Sequence, residues 1–295
     1  MKTLKEYARD VEVALDKRLP EVGETRLGDM PVDLNRAMRY SLLAGGKRLR
    51  PSMLLAAVDM LGGDPQSAMP LACAVEMIHT YSLIHDDLPG MDGDVLRRGR
   101  PTNHVVFGEG QAILAGDGLL SEAFEGMLKS ALAHPEQLAA VYEIARGAGA
   151  RGMVAGQSLD LACERTREGG EKELVYIHEN KTACMFVYPL RAAGRLCGAD
   201  EQALEALGAY GRAFGHMFQV ADDLLDVVGD AGALGKSVGK DASEGKLTAT
   251  SVYGLDGARA QVDAFLAEGL QALRVFGERA AFFESLIRDM RGRRS

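Results

Sequence analysis

The chain has 295 residues, 47% of them hydrophobic, and a formal net charge of −8. That length suits one large domain with a sizeable core. The acidic balance argues against a nucleic-acid surface, which needs a basic excess, so local basic clusters are expected to serve something small.

The opening stretch MKTLKEYARDVEVALDKRLPEVG is charged and amphipathic throughout, lacking the apolar run and small-residue cleavage site of a signal peptide. VDLNRAMRYSLLAGG places Leu34, Met38 and Leu42 four apart and ends on a glycine pair, a helix with its stop signal. RPSMLLAAVDMLGG opens with Pro51 near a helix start and closes on Gly62 and Gly63. SAMPLACAVEMIHTYSLIHDD is a long, nearly all-apolar helix, which implies burial on most sides. GEGQAILAGDGLLSEAFEGMLKSAL and ALEALGAYGRAFGHMFQVADDLLDVVG repeat the helical pattern.

Period-two alternation flanked by hairpin turns stands out nowhere. Residues 229–245 form a short, loose, Gly-rich region, and there is neither an internal repeat nor a linker. The expectation is an all-α fold in a single domain spanning residues 1–295. No stretch approaches 18 uninterrupted apolar residues, so no membrane span is expected. Cys73, Cys163, Cys184 and Cys197 show neither CxxC nor zinc spacing and are expected as buried or partly buried thiols in a reducing cytoplasm.

Two acidic clusters break the apolar pattern. IHDDLPGMDGD carries Asp86, Asp87 and Asp92, and FQVADDLLDVVGD carries Asp222, Asp223 and Asp226. Asp222 and Asp226 are four apart and share one helical face. Carboxylates in an apolar helix are costly to desolvate without a cation or hydrogen bonds. Two such clusters at the ends of buried helices suggest carboxylates facing one another across a cavity. Hard oxygen ligands without paired His or Cys select Mg²⁺, whose shell is completed by water and substrate phosphate.

Basic motifs supply the counterpart. GGKRLRP puts Lys47, Arg48 and Arg50 at a helix junction where Gly45 and Gly46 allow a tight turn, and RRGRPTNH adds Arg97 and Arg98. HENKTA supplies Lys181 and Thr182, and LGKSVGKDASEGK supplies Lys236, Lys240 and Lys246. Together they offer more cations than one diphosphate needs and suggest two anion sites, one bridged by metal and one held directly by arginine and lysine. His79, seven residues before Asp86, lies about 20° from it on the helical wheel, which favours a site role over a core one. His85 lies on another face and reads as structural, while His216 and Met217 suggest no function.

In order along residues 34–255, GGKRLRP, YSLIHDDLPGMDGDVLRRGRPTNH, FGEGQAILAGD, GMVAGQSLDL, HENKTA and FQVADDLLDV resemble the trans-isoprenyl diphosphate synthase (polyprenyl synthetase) family, most closely its bacterial farnesyl-producing members. The resemblance implies the isoprenoid synthase fold, a helical bundle around a deep central cavity and commonly a cytoplasmic homodimer. It also implies an allylic diphosphate chelated by Mg²⁺, as three ions with substrate bound, between Asp86, Asp87 and Asp92 and Asp222 and Asp226. By the same resemblance Arg97, Lys181 and Lys236 hold that diphosphate, and Lys47, Arg50, His79 and Arg98 hold isopentenyl diphosphate. Thr182 and Gln219 match positions whose oxygens face the allylic cation. Ala249 departs from the pattern, since the family usually has an aromatic residue after its KxT stretch, and an altered closing loop is expected.

Product length rests on TYSLIHDD. Tyr81 lies five residues before Asp86, about 7.5 Å along a helix, yet at 100° per residue Ser82 is about 40° from Asp86 and Tyr81 about 140°. Geometry leaves Tyr81 as either a cavity floor or a core aromatic. The resemblance favours the floor, because an aromatic at that position together with the inserted Pro89-Gly90 pair is similar to the farnesyl-producing bacterial type. The expectation is therefore mainly a fifteen-carbon product. Alternatives are a geranyl or geranylgeranyl diphosphate synthase, a class I terpene cyclase, or a non-catalytic regulatory subunit. A cyclase needs no second diphosphate site, and a regulatory subunit is marked by loss of one Asp-rich motif.

Overall fold

The computed structural model describes residues 1–22, 30–228 and 245–292. The chain divides into two compact units, Met1–Val141 and Tyr142–Ser295. Both are built from helices, as the 3.6-residue patterning predicts.

In the first unit, α1 (Leu4–Arg18) starts at a capping box, with Thr3 accepting from the Glu6 N–H and Glu6 accepting from the Thr3 N–H. Its Tyr7, Val11 and Leu15 recur every four residues and are fully buried. The Tyr7 hydroxyl is satisfied by Asp59 at 2.5 Å. After α2 (Val32–Leu42) come α3 (Leu49–Met60) and α4 (Met69–Asp86). Ten of the twelve residues of α3 are buried, which fits a helix apolar on all sides.

The short α5 (Asn103–Phe107) leads into α6 (Glu109–Ala133). The buried stripe of α6, Ala112, Ala115, Gly116, Leu119 and Ala123, is made mostly of small residues, so α4 and α6 pack along each other. A Cβ at Gly116 would overlap the His85 ring. His85 also bonds the Ile113 carbonyl at 3.1 Å, consistent with its structural reading.

One element escapes the sequence pattern. Leu96–Arg97 (β1) pairs antiparallel with Arg100–Pro101 (β2), closed by Arg98 and Gly99, both at positive φ. Positive φ at both central residues marks a tight hairpin turn. Strands of two residues are too short to show alternation.

Following α7 (Leu138–Ala148), the second unit continues with α8 (Met153–Thr166), α9 (Glu171–Ile177), a π-helical turn over His178–Ala183 and α10 (Cys184–Leu196). Then come α11 (Glu201–Val228), α12 (Ala249–Ala272) and α13 (Ala281–Arg291). Glycines set the close approaches. A Cβ at Gly211 would stand 2.8 Å from the Val187 Cα, one at Gly215 would strike Ala183, and one at Gly156 would strike the Lys181 backbone. Alpha-helices 8 and 11 thus both lie against the π-helical turn. Cys73, Cys163 and Cys184 are buried free thiols and Cys197 is half-buried. Among the described residues, no helix is long and apolar enough to cross a membrane.

Candidate active site

In the first unit the acidic cluster sits where α4 ends. The chain curls through Pro89-Gly90 and returns, so that the Asp92 N–H donates to the Asp86 carbonyl at 2.8 Å. Residues six apart are thereby held side by side at the backbone. Asp87 points elsewhere: both its oxygens accept from Arg97, from Nε at 2.8 and 3.0 Å and from Nη2 at 2.6 Å. Asp87 is buried, and a bidentate pair of this kind fixes the guanidinium plane. Its oxygens keep further lone pairs beyond those the arginine engages.

The basic residues of GGKRLRP separate by direction. Arg48, at φ 45°, turns inward and is 3% exposed. It donates to Glu76 at 2.7 Å and to the Leu42 carbonyl at 2.7 Å. Lys47 is exposed and Arg50 half-buried. Arg98 lies over the glycine pair, donating to the Gly45 carbonyl, and a Cβ at Gly46 (φ +136°) would stand 2.5 Å from its Nη1. Glycine is needed at residue 46 both for its φ and for this approach.

His79 completes the group. Burial, reinforced by Arg50, Arg98, Arg97 and Arg48, holds its imidazole well below its ordinary pKa of 6.5. The structure thus brings His79, Arg50, Arg97 and Arg98 into one electrostatic neighbourhood. Because the folded pKa is depressed, the unfolded chain binds a proton below pH 6.5 that the folded chain refuses. Stability is then full above pH 6.5 and falls by up to about 1.4 kcal/mol per unit below it. Urea unfolding at pH 7.5 and 5.5 should show a steeper loss for the native chain than for His79→Gln. Equal losses would contradict a neutral His79.

Tyr81 is buried, its ring meeting that of His85 edge-on at 5.8 Å, and the half-buried Ser82 returns its hydroxyl to the His79 carbonyl at 2.9 Å.

In the second unit the close approach at Gly215 continues one turn on, where the Thr182 hydroxyl donates to Gln219 Oε1 at 2.9 Å. Gln219 Nε2 donates to Asp223 at 3.0 Å. Asp222 is half-buried and Asp226 buried. Lys181, one residue before Thr182 on the π-helical turn, contacts Asp160 of α8 at 2.5 Å. Pi-turns are frequent at functional sites. Lys236 and Lys240 lie outside the described residues.

Several neighbours are not singled out by sequence reasoning. Asp160 and Gln157 sit in GMVAGQSLDL without a role. The Gln157 amide is buried at both ends with no hydrogen-bond partner among the described residues, on the same face as Asp160. Asp223 reads as one aspartate among three. Conversely, His216 gains a structural explanation: it bonds Glu179 at 2.8 Å and stacks on Phe265 with ring centres 5.1 Å apart. Ala249 is fully buried at the first turn of α12, where Thr248 caps the helix and the Ala249 N–H donates to Asp223 at 2.7 Å.

An all-α chain whose aspartate clusters sit at buried helix ends beside arginine, lysine and an amide-hydroxyl pair belongs to the class of proteins built to handle diphosphates. Within that class, the chain is a member of the polyprenyl synthetase family, whose model matches residues 31–276. It is 49% identical over 257 residues to geranylgeranyl pyrophosphate synthase 9, chloroplastic, of Arabidopsis thaliana, covering 85% of this chain and 69% of that one. It is 44% identical over 276 residues to farnesyl diphosphate synthase of Geobacillus stearothermophilus, covering 91% and 89%. Among solved structures it resembles an apo FPP/GFPP synthase from Zymomonas mobilis, with a TM-score of 0.83, 34% identity and coverage of 97% and 96%.

Proposed function

We propose that this chain is a Mg²⁺-dependent prenyltransferase that joins isopentenyl diphosphate to dimethylallyl or geranyl diphosphate and releases mainly farnesyl diphosphate. The observation that carries the reading is the coexistence of two Asp-rich helix ends with a group of Arg50, Arg98 and His79 that gathers beside Arg97. By chemistry the donor set suits the metal, being carboxylate oxygens with neither thiolate nor imidazole among the expected ligands, although among the described residues no three such groups converge on one point. Asp86, Asp87, Asp92, Asp222 and Asp226 are the residues that would hold it, with Asp87 also accepting from Arg97. Bound Mg²⁺ supplies neutralisation of the diphosphate as it leaves the allylic carbon.

The protein's own groups do the rest. Arg97, oriented by Asp87, and Lys181, oriented by Asp160, donate to the allylic diphosphate. Lys236 joins them by resemblance alone. Lys47, Arg50, Arg98 and the neutral His79 hold isopentenyl diphosphate so that its double bond faces the ionising carbon. Thr182 and Gln219 turn oxygen toward the cation, and a proton is then lost to the released diphosphate.

The fifteen-carbon product rests on Tyr81, and the geranylgeranyl enzymes among the relatives define the competing outcome. Tyr81 is buried against His85, so its ring is fixed in place. Product chain length by mass spectrometry should give mainly fifteen carbons for the native chain and longer chains for Tyr81→Ala. A folded, active Tyr81→Ala that stops at the native length removes Tyr81 as the floor; a native twenty-carbon product replaces the farnesyl reading with the geranylgeranyl one. We further propose a cytoplasmic location by family resemblance, and a homodimer, since Val105, Val106, Ile113, Leu114 and Leu132 expose apolar surface on α5 and α6.

A further inference from the structure

We infer that Asp223 is a positioning residue that sets the polarity of the Gln219–Thr182 pair, so that Thr182 offers oxygen lone pairs, and not its hydroxyl hydrogen, to the reacting carbons. This rests on the prenyltransferase reading above and extends it to the one aspartate of the second acidic cluster that the metal-ligand reading leaves without a role.

Asp223 is 3% exposed and neighbours Asp222, but a step of 100° around α11 turns it to a different face. Two donors and a histidine ring meet it there. Gln219 Nε2 lies 3.0 Å from Oδ1, the Ala249 N–H 2.7 Å from Oδ2, and His178 Nε2 3.5 Å from Oδ2. A carboxylate only accepts, so it selects the NH₂ end of the Gln219 amide. The carbonyl end is then fixed toward Thr182, whose single hydroxyl hydrogen goes to Gln219 Oε1 at 2.9 Å. Only lone pairs remain on the Thr182 oxygen, which is the polarity a developing positive charge requires.

Turning the amide over would reverse every sign. Gln219 would donate to the Thr182 oxygen, the Thr182 hydrogen would be released toward the reacting carbons, and the Gln219 carbonyl would face the Asp223 carboxylate. Two acceptors 3.0 Å apart repel, so Asp223 excludes that state. The Ala249 N–H, donating to Oδ2, holds Asp223 itself in place. The relay runs Asp223, Gln219, Thr182, and no proton needs to move along it.

The test is a polarity-preserving exchange in the full-length enzyme, with kcat and KM measured for both diphosphates and each variant's melting temperature recorded. D223N removes the preference for the amide's donor end and is expected to lower kcat by about 10- to 100-fold while both KM values stay within about 3-fold. Q219E alone sets two carboxylates together and should also lose activity. In Q219E/D223N, the amide at position 223 donates to the carboxylate at position 219 and still accepts from the Ala249 N–H. That carboxylate in turn accepts from Thr182, and the net charge is unchanged. The double variant should recover kcat to within about 5-fold of the native value. A D223N enzyme with native kcat, or a double variant that is unfolded or no better than the single ones, overturns the assignment. Absence of product from the native chain overturns the prenyltransferase reading and this inference with it.

Discussion

Asp222→Ala should lower condensation by at least about 10³-fold while leaving the helical fold intact. Asp222 sits on α11 one helical turn before Asp226, and on the proposed reading its loss takes a carboxylate oxygen from the cation that would neutralise the leaving diphosphate. The side chain is only half-buried, so its loss opens no core cavity and the helical fold should persist without metal. Paired measurements of turnover and thermal unfolding separate the two effects. A native rate in the variant would remove Asp222 from the metal site, and loss of fold would make its role structural.

Glu76→Ala should cost the first unit as much stability as truncating a large core side chain. Arg48 and Glu76 are buried, their side chains 1% and 3% exposed, and meet at 2.7 Å. Breaking such a pair by removing one partner costs about 3–5 kcal/mol when the remaining charge is uncompensated, and somewhat less here, where Glu12 stands 3.7 Å from Arg48 Nε and the Leu42 carbonyl still accepts from it. The melting temperature should then fall on the order of 10 °C. Replacing both residues, as in Arg48→Met with Glu76→Met, should recover much of the loss, since no lone charge remains. Isopentenyl diphosphate binding should weaken as well, because Arg48 fixes the turn that presents Lys47 and Arg50. A Glu76→Ala chain as stable as the native one would contradict the buried pair.

Much of this architecture is legible in the sequence because helices declare themselves by period. Leu34, Met38 and Leu42, or the apolar run into Asp86, need no tertiary context to be read. The hairpin at residues 96–101 is not legible, since two-residue strands have no alternation to detect. Nor is the π-helical turn at residues 178–183, whose wider hydrogen-bond spacing leaves no compositional trace. Within the site, charge type is readable but direction is not. GGKRLRP offers three cations, and only the left-handed backbone at Arg48 sends one of them into the core. DD at residues 86–87 and 222–223 offers paired carboxylates, and only helix rotation gives Asp87 to Arg97 and Asp223 to Gln219. Thr182 and Gln219 are 37 residues apart, and only family resemblance brings them together in advance of the structure.

The most direct measurement is the condensation itself. Purified full-length chain is incubated with isopentenyl diphosphate and geranyl diphosphate, with Mg²⁺ or with a chelator, and the prenyl diphosphates are identified by mass. The expected result is a fifteen-carbon diphosphate that forms with Mg²⁺ and is abolished by the chelator. No elongated product with Mg²⁺, or equal product in chelator, would contradict the assignment of this chain as a metal-dependent prenyltransferase.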